Sequence, residues 1–190
     1  ECVAMRVREQ MLVIEAFDQV AADLPFPLLG VDSDNDSTFM SECVFDYCKG
    51  HGLVQTRSRP YRKNDQAWVE QKNGAIVRRL VGYGRLSGTV ATKALAQLYA
   101  SSRLYINFFQ PSFKLKSKTR DGARVHKVYF KPATPCDRLL AHTSVGAEIR
   151  EKLTSQFMSL DPVRLLQEIR LAQQTLSNIA AHGACAAAED

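Results

Sequence analysis

The stretch Leu28-Leu29-Gly30-Val31-Asp32-Ser33-Asp34-Asn35-Asp36-Ser37-Thr38-Phe39 decides how the rest of this chain is read. A compact apolar run, 28–31, stops at a polar cluster, 32–36, which predicts a buried strand with a loop at its carboxyl end. Upstream, Met11, Ile14, Phe17 and Val20 approximate helical spacing and predict a helix over 9–22, closed by Pro25 and Pro27. Downstream, Phe39, Cys43 and Tyr47 predict a second helix over 39–48, and Leu53 to Thr56 a further strand after Gly52. Cys2-Val3-Ala4-Met5 reads as the end of another short buried strand. The resulting β-α-β-α-β order predicts an α/β sheet with helices on its faces.

Beyond residue 56 the pattern changes. A loop over 57–65, punctuated by Pro60, leads into a helix with Asn64 or Asp65 as N-cap, running through Ala67, Trp68, Glu70, Val77 and Leu80 to Gly82. Val90, Leu95, Leu98 and Leu104 predict a helix over 89–105. Residues 110–135 are basic, Gly- and Pro-punctuated, and poor in helical period. Two amphipathic helices, 145–160 and 162–181, follow on either side of Asp161-Pro162, before a frayed Ala-rich end. Packing of these last helices on the core and on a second protomer both remain open. The expected division is a core over 1–110, a basic linker over 111–143 and a helical tail over 144–190.

Composition bounds the function. The chain has 190 residues, 45% hydrophobic and 24% charged, which fits one globular domain with an appendage. It contains no apolar run of about 18 residues and no secretory leader pattern, so no membrane role is expected. The first methionine is Met5, so a start inside a longer gene product, after processing or at a truncation, is expected. Five cysteines, odd in number and without Cys-x-x-Cys spacing, argue against a disulfide scaffold or zinc site and point to the cytoplasm. The net charge of +5 hides a segregation: residues 1–56 hold 3 Lys/Arg against 10 Asp/Glu, and residues 57–131 hold 17 against 3. Self-repulsion within the basic block opposes compaction, and a polyanion, above all nucleic acid, is the expected partner rather than a small molecule.

Asp34 follows the predicted strand, Glu70 lies in the early turns of a predicted helix, and 35 residues separate them. At these residues the chain resembles the catalytic core of retroviral-type integrases and insertion-sequence transposases. The resemblance rests on Ser33-Asp34-Asn35-Asp36-Ser37-Thr38-Phe39, on Arg57-Ser58-Arg59-Pro60-Tyr61-Arg62-Lys63-Asn64-Asp65, and on Val69-Glu70-Gln71-Lys72-Asn73. A looser likeness to a subset of bacterial transposases runs through Tyr105 to Pro111, Lys114 to Lys116 and Thr134-Pro135. The resemblance implies a ribonuclease-H-like fold. It also implies DNA cleavage and strand transfer with Mg²⁺ or Mn²⁺ held by Asp34 and Glu70, and a homo-oligomer working on DNA. In-line phosphoryl displacement builds charge on attacking and leaving oxygens, which two divalent ions can stabilise, and hard carboxylate oxygens suit such ions.

Three departures shape the expectation. The family's other catalytic aspartate would fall upstream of Glu1, so a truncated core with impaired catalysis, folding poorly alone, is expected. Asp18 and Asp23 match nothing, and Asp32 is not expected to substitute. Asp36 stands where the family has glycine, at a turn expected to need a positive φ. No helix-turn-helix for end recognition is visible. The alternative reading is a non-catalytic DNA-binding remnant of a transposase. Arg57, Arg59, Tyr61, Lys63, Asn64, Lys72, Asn73, Arg78 and Arg79 are the expected nucleic-acid contacts around the glutamate helix, with Trp68 expected in the core. Lys114, Lys116, Lys118, Arg120, Arg124 and Lys127 form a second basic stripe. Gly82 to Gly88 misses a nucleotide-binding glycine pattern and reads as a linker, the four histidines show no zinc spacing, and Cys43 and Cys48 read as buried packing.

Overall fold

A computed structural model describes residues 1–66, 70–71 and 73–186, with the side chains of 63, 66 and 182–186 left undescribed. The fold is mixed α/β and divides into two compact units, 1–99 with 169–190, and 100–168.

In the first unit, α1 (Gln10–Asp23) precedes β1 (Gly30–Ser33), α2 (Glu42–Gly50) and β2 (Val54–Arg57). β1 and β2 pair in parallel, Gly30 opposite Val54 and Ser33 opposite Arg57, so β1–α2–β2 is a crossover unit. One face of this pair packs on the helices. Val13 of α1 and Val44 and Cys48 of α2 form a buried cluster, with Ile14, Phe17, Val31, Phe39, Tyr47 and Leu53 around it. Gly30 is required by close approach, because a Cβ there would lie 2.5 Å from the Val54 carbonyl oxygen. The other face, that of Val54 opposite Gly30, stays open, and Val54 is 67% exposed.

Several details differ from the expected pattern. The strand starts two residues later than 28, because its register follows the single neighbour β2 rather than the apolar run. Residues 2–5 form no strand, since no partner strand adjoins them among the described residues. In α1 the buried position is Val13, while Met11 faces solvent. In α2 the buried pair is Val44 and Cys48, four apart on the face toward α1, which leaves Cys43 exposed. Burial pushes the Cys48 thiol above its usual range, the behaviour of a packing cysteine rather than a nucleophile.

After β2 the backbone makes a short 3₁₀ turn at Lys63–Gln66 and is helical at Glu70 and Gln71. It then widens to a π-turn over Asn73–Val77 and tightens again in α3 (Arg78–Val81). Gly82, with φ of 80°, ends α3 in a conformation that disfavours any side chain. The expected helix is helical at Glu70 and Gln71 and from Asn73 to Val81, where it contains the π-turn, and Ala67, Trp68, Val69 and Lys72 lie outside the described residues.

The long α4 (Gly88–Phe109) and the carboxyl-terminal α7 (Pro162–Ala186) each run from one unit into the other. Within the first unit α7 packs on its own chain: the Gln173 side-chain amide donates to the Leu80 carbonyl at 2.8 Å. A Cβ on Gly84 would sit 2.7 Å from that of Ala180. The stripe Leu165, Ile169, Ala172, Leu176 is buried at helical spacing.

The second unit holds β3 (Leu115–Asp121), β4 (Arg124–Tyr129), α5 (Pro135–Leu140) and α6 (Ala147–Ser159). Its buried cluster is Phe108, Cys136 and Leu153, flanked by Leu104, Phe109, Leu139, Leu140, Ile149 and Leu160. α5 begins in a full capping box, the Thr134 hydroxyl accepting from the Asp137 N–H and the Asp137 carboxylate from the Thr134 N–H. Arg150 fixes the α5–α6 connection by donating to the carbonyls of Leu140, His142 and Val145. The stretch expected as a linker therefore carries an antiparallel hairpin, β3–β4, and a capped helix. No described helix is long and apolar enough to cross a membrane.

Candidate functional site

Asp34 is the first residue beyond the carboxyl end of β1, the end of a parallel strand where loops gather ligands. It is exposed, and its Oδ1 accepts the Asp36 N–H at 3.0 Å in an Asx turn that fixes the carboxylate over its own loop. Oδ2 carries no hydrogen bond among the described residues. Asn35 ties this loop to the next one, its amide donating to the Ser58 carbonyl at 2.9 Å. The Ser58 N–H in turn donates to the Ser33 carbonyl at 2.9 Å, extending the β1–β2 ladder by one bond. The loop bearing Asp34 is therefore braced against the start of the basic loop 57–63. The Ser33 hydroxyl and the Gln55 side-chain oxygen are buried beside it without partners.

Asp36 does not adopt the expected positive φ; among the described non-glycine residues only Tyr61 does, at 59°. Asp36 instead works as a cap. Its Oδ1 accepts the Thr38 N–H at 3.0 Å, its carbonyl accepts from Phe39 and Met40, and Arg8 donates to its Oδ2 at 3.0 Å. Hydrogen bonds from Thr38, first of all, and the Arg8 guanidinium hold its carboxyl below the usual range. The residue that glycine would replace is thus engaged through its side chain. Asp32 points its carboxylate at the neighbouring strand, where the Thr56 hydroxyl donates to it at 2.7 Å.

Glu70 is exposed in helical backbone, and no hydrogen bond or ion pair joins it to Asp34 among the described residues. Each exposed carboxylate is a hard oxygen donor of the kind Mg²⁺ accepts while keeping most of its waters. No group of three or more His, Cys, Asp or Glu able to hold a metal occurs among the described residues.

The basic loop is more ordered than its composition suggests. Arg59 donates through Nε and a terminal nitrogen to the two Asp65 oxygens at 2.8 and 2.9 Å, and its N–H donates to the same carboxylate. That fork pulls the Asp65 carboxyl down to about 2. Arg59 is consequently a brace for the loop, with its guanidinium already engaged, while Arg57, Arg62 and Asn64 are exposed. Tyr61 stands at the tip, fully exposed and in the left-handed region that a tyrosine rarely adopts. Arg78 lies 5.1 Å from the Tyr83 ring centroid in a cation–π contact, and Arg79 and Asn73 face solvent. Lys72 and the Lys63 side chain fall outside the described residues. The braces Asn35, Asp65 and Arg8 escaped the sequence reading, since each acts through a partner 6 to 28 residues away.

No family model matches the chain. A protein of Sinorhizobium fredii (strain NBRC 101917 / NGR234), named uncharacterized protein y4rM, is 64% identical over 138 residues. That match takes in 73% of this chain and 39% of the relative, so the chain spans about two-fifths of the relative's length.

Proposed function

We propose that this chain is a segment of an integrase-type transposase, with a ribonuclease-H-like core that cleaves and joins DNA using Mg²⁺ or Mn²⁺. The observation that carries the reading is the parallel β1–α2–β2 unit with Asp34 just beyond the end of β1, and Glu70 in helical backbone with 35 residues between the two. Asp34 and Glu70 would hold the ion, which supplies charge stabilisation to the attacking and leaving oxygens of a phosphodiester. The Asx turn orients the Asp34 carboxylate, and the Asn35–Ser58 bond keeps the basic loop beside it. Arg57, Arg62, Arg78 and Arg79 neutralise backbone phosphates, and Tyr61 offers a ring for stacking on an unpaired base. Arg59 acts behind them, holding the loop through Asp65. Action on DNA as a homo-oligomer in the cytoplasm belongs to the same proposal.

Incubation of supercoiled plasmid with the chain tests it. Nicked circles are expected with Mg²⁺ or Mn²⁺, none in EDTA, and none with Glu70→Gln. Nicking that persists in EDTA or in Glu70→Gln contradicts the metal assignment. Salt-dependent binding with no nicking under any condition favours the second reading, a DNA-binding remnant.

A further inference from the structure

The hairpin of β3 and β4 is exposed along its whole length on both faces. Its two-residue loop, Gly122-Ala123, has Gly122 at φ 57° and no positive φ at Ala123, the pattern of a type II′ turn. The register sets Lys118 opposite Lys127, Arg120 opposite Val125 and Leu115 opposite Tyr129. Residues directly paired across an antiparallel ribbon project from the same face. Lys118, Arg120 and Lys127 therefore share one face, which carries no acidic residue. The reverse face alternates Ser117, Thr119 and Asp121 with Val128, His126 and Arg124.

This arrangement works against the ribbon standing alone. Like charges placed directly opposite destabilise an antiparallel pair, and an isolated two-stranded hairpin is marginal in water. No ion pair offsets Lys118, Arg120 or Lys127 among the described residues. The root of the ribbon is better held: Phe113 and Tyr129 meet edge-on at 5.9 Å, and Lys116 lies 5.8 Å from the Phe130 ring centroid. A register shift between Leu115 and Ser117 adds local twist just above that root.

We infer that the β3–β4 ribbon is a DNA-docking arm whose Lys118–Arg120–Lys127 face lies against the phosphates of a duplex. The occupant follows from charge and shape. A face of three cations without an acid matches a polyanion, and a major groove about 12 Å wide admits a two-stranded ribbon. The choice of DNA rests on the function proposed above, while the ribbon itself uses neither Asp34 nor Glu70.

The test is fluorescence anisotropy of a labelled duplex with the full chain, in EDTA, across a series of KCl concentrations. The triple variant Lys118→Ala/Arg120→Ala/Lys127→Ala is expected to bind more weakly and to lose about 2 to 3 from the slope of log K against log salt, near 0.9 per phosphate. The double variant Lys118→Arg/Lys127→Arg is expected to keep the wild-type slope, and Asp121→Ala on the reverse face not to lower it. All these side chains are exposed, and far-UV circular dichroism checks that each variant folds. An unchanged slope in the folded triple variant overturns the inference. So does loss of self-association in sedimentation with DNA binding intact, which would assign the face to the acidic segment of a second copy. Because no metal is present, a lost slope without any plasmid nicking sinks the metal reading alone. An unchanged slope alongside metal-dependent nicking sinks the ribbon alone.

Discussion

Arg59 commits its guanidinium to Asp65 through two parallel hydrogen bonds, and the consequence is readable in the acid titration of the loop. The Asp65 carboxyl ionises at about 2 in the folded chain against an ordinary 3.8. A depressed carboxyl contributes stability that is present above its ordinary value and is lost as pH falls through the folded one. The brace should thus hold at neutral pH and weaken between about pH 4 and 2, with a small effect because Arg59 is exposed. Arg59→Ala is expected to return the Asp65 titration to the ordinary carboxylate range, read by carboxyl-carbon NMR. An Asp65 that still titrates near 2 in the variant would show that the fork is not its cause. Asp36 shows what sequence could not reveal at this scale. A non-glycine residue at a glycine position implied backbone strain, yet its carboxylate caps Thr38 and meets Arg8, 28 residues upstream.

At the scale of elements, the longer helices and the β1–α2–β2 unit were legible because apolar residues recur along them at regular intervals. Val44 and Cys48, or Leu165, Ile169, Ala172 and Leu176, recur at helical intervals and are buried. The β3–β4 ribbon was not, because a strand exposed on both faces has no apolar alternation to read. Lys116-Ser117-Lys118-Thr119-Arg120 is polar at every position. The signal that would have found it is Asp121-Gly122, a turn-forming dipeptide at the junction of the two basic runs. α5 was missed for its brevity, though Thr134-Pro135-Cys136-Asp137 spells a cap, a proline in the first turn and an acidic third position. Thr134 is buried, and its hydroxyl accepts the first-turn N–H of Asp137 at 3.0 Å. Thr134→Ala should lower stability by about 1 kcal/mol, read as a shifted urea midpoint with unchanged slope. Thr134→Ser should recover most of that loss. An unshifted midpoint in the alanine variant would mean that α5 does not depend on its box.

Over the whole chain, charge and architecture point the same way. The acidic first 56 residues contain Asp34 and nearly all of the β1–α2–β2 unit, and the basic block that follows contains both Glu70 and the ribbon. Each unit has its own buried cluster, Val13–Val44–Cys48 in one and Phe108–Cys136–Leu153 in the other. The proposed pairing of Asp34 with Glu70 comes from the resemblance of the motifs around them, while the presentation of the Asp34 carboxylate depends on an Asx turn and an Asn35 brace that spacing does not encode. The account turns on those two carboxylates holding one ion. Mn²⁺ binding followed by electron paramagnetic resonance, with duplex DNA present, measures this without requiring turnover. Asp34→Asn preserves the turn oxygen that accepts from Asp36, so its effect reports charge rather than fold. The predicted result is at least a roughly tenfold loss of Mn²⁺ affinity in both Asp34→Asn and Glu70→Gln, about 1.4 kcal/mol or more, with Asp32→Asn unchanged. Equal Mn²⁺ affinity in the wild type and in both variants would contradict the account.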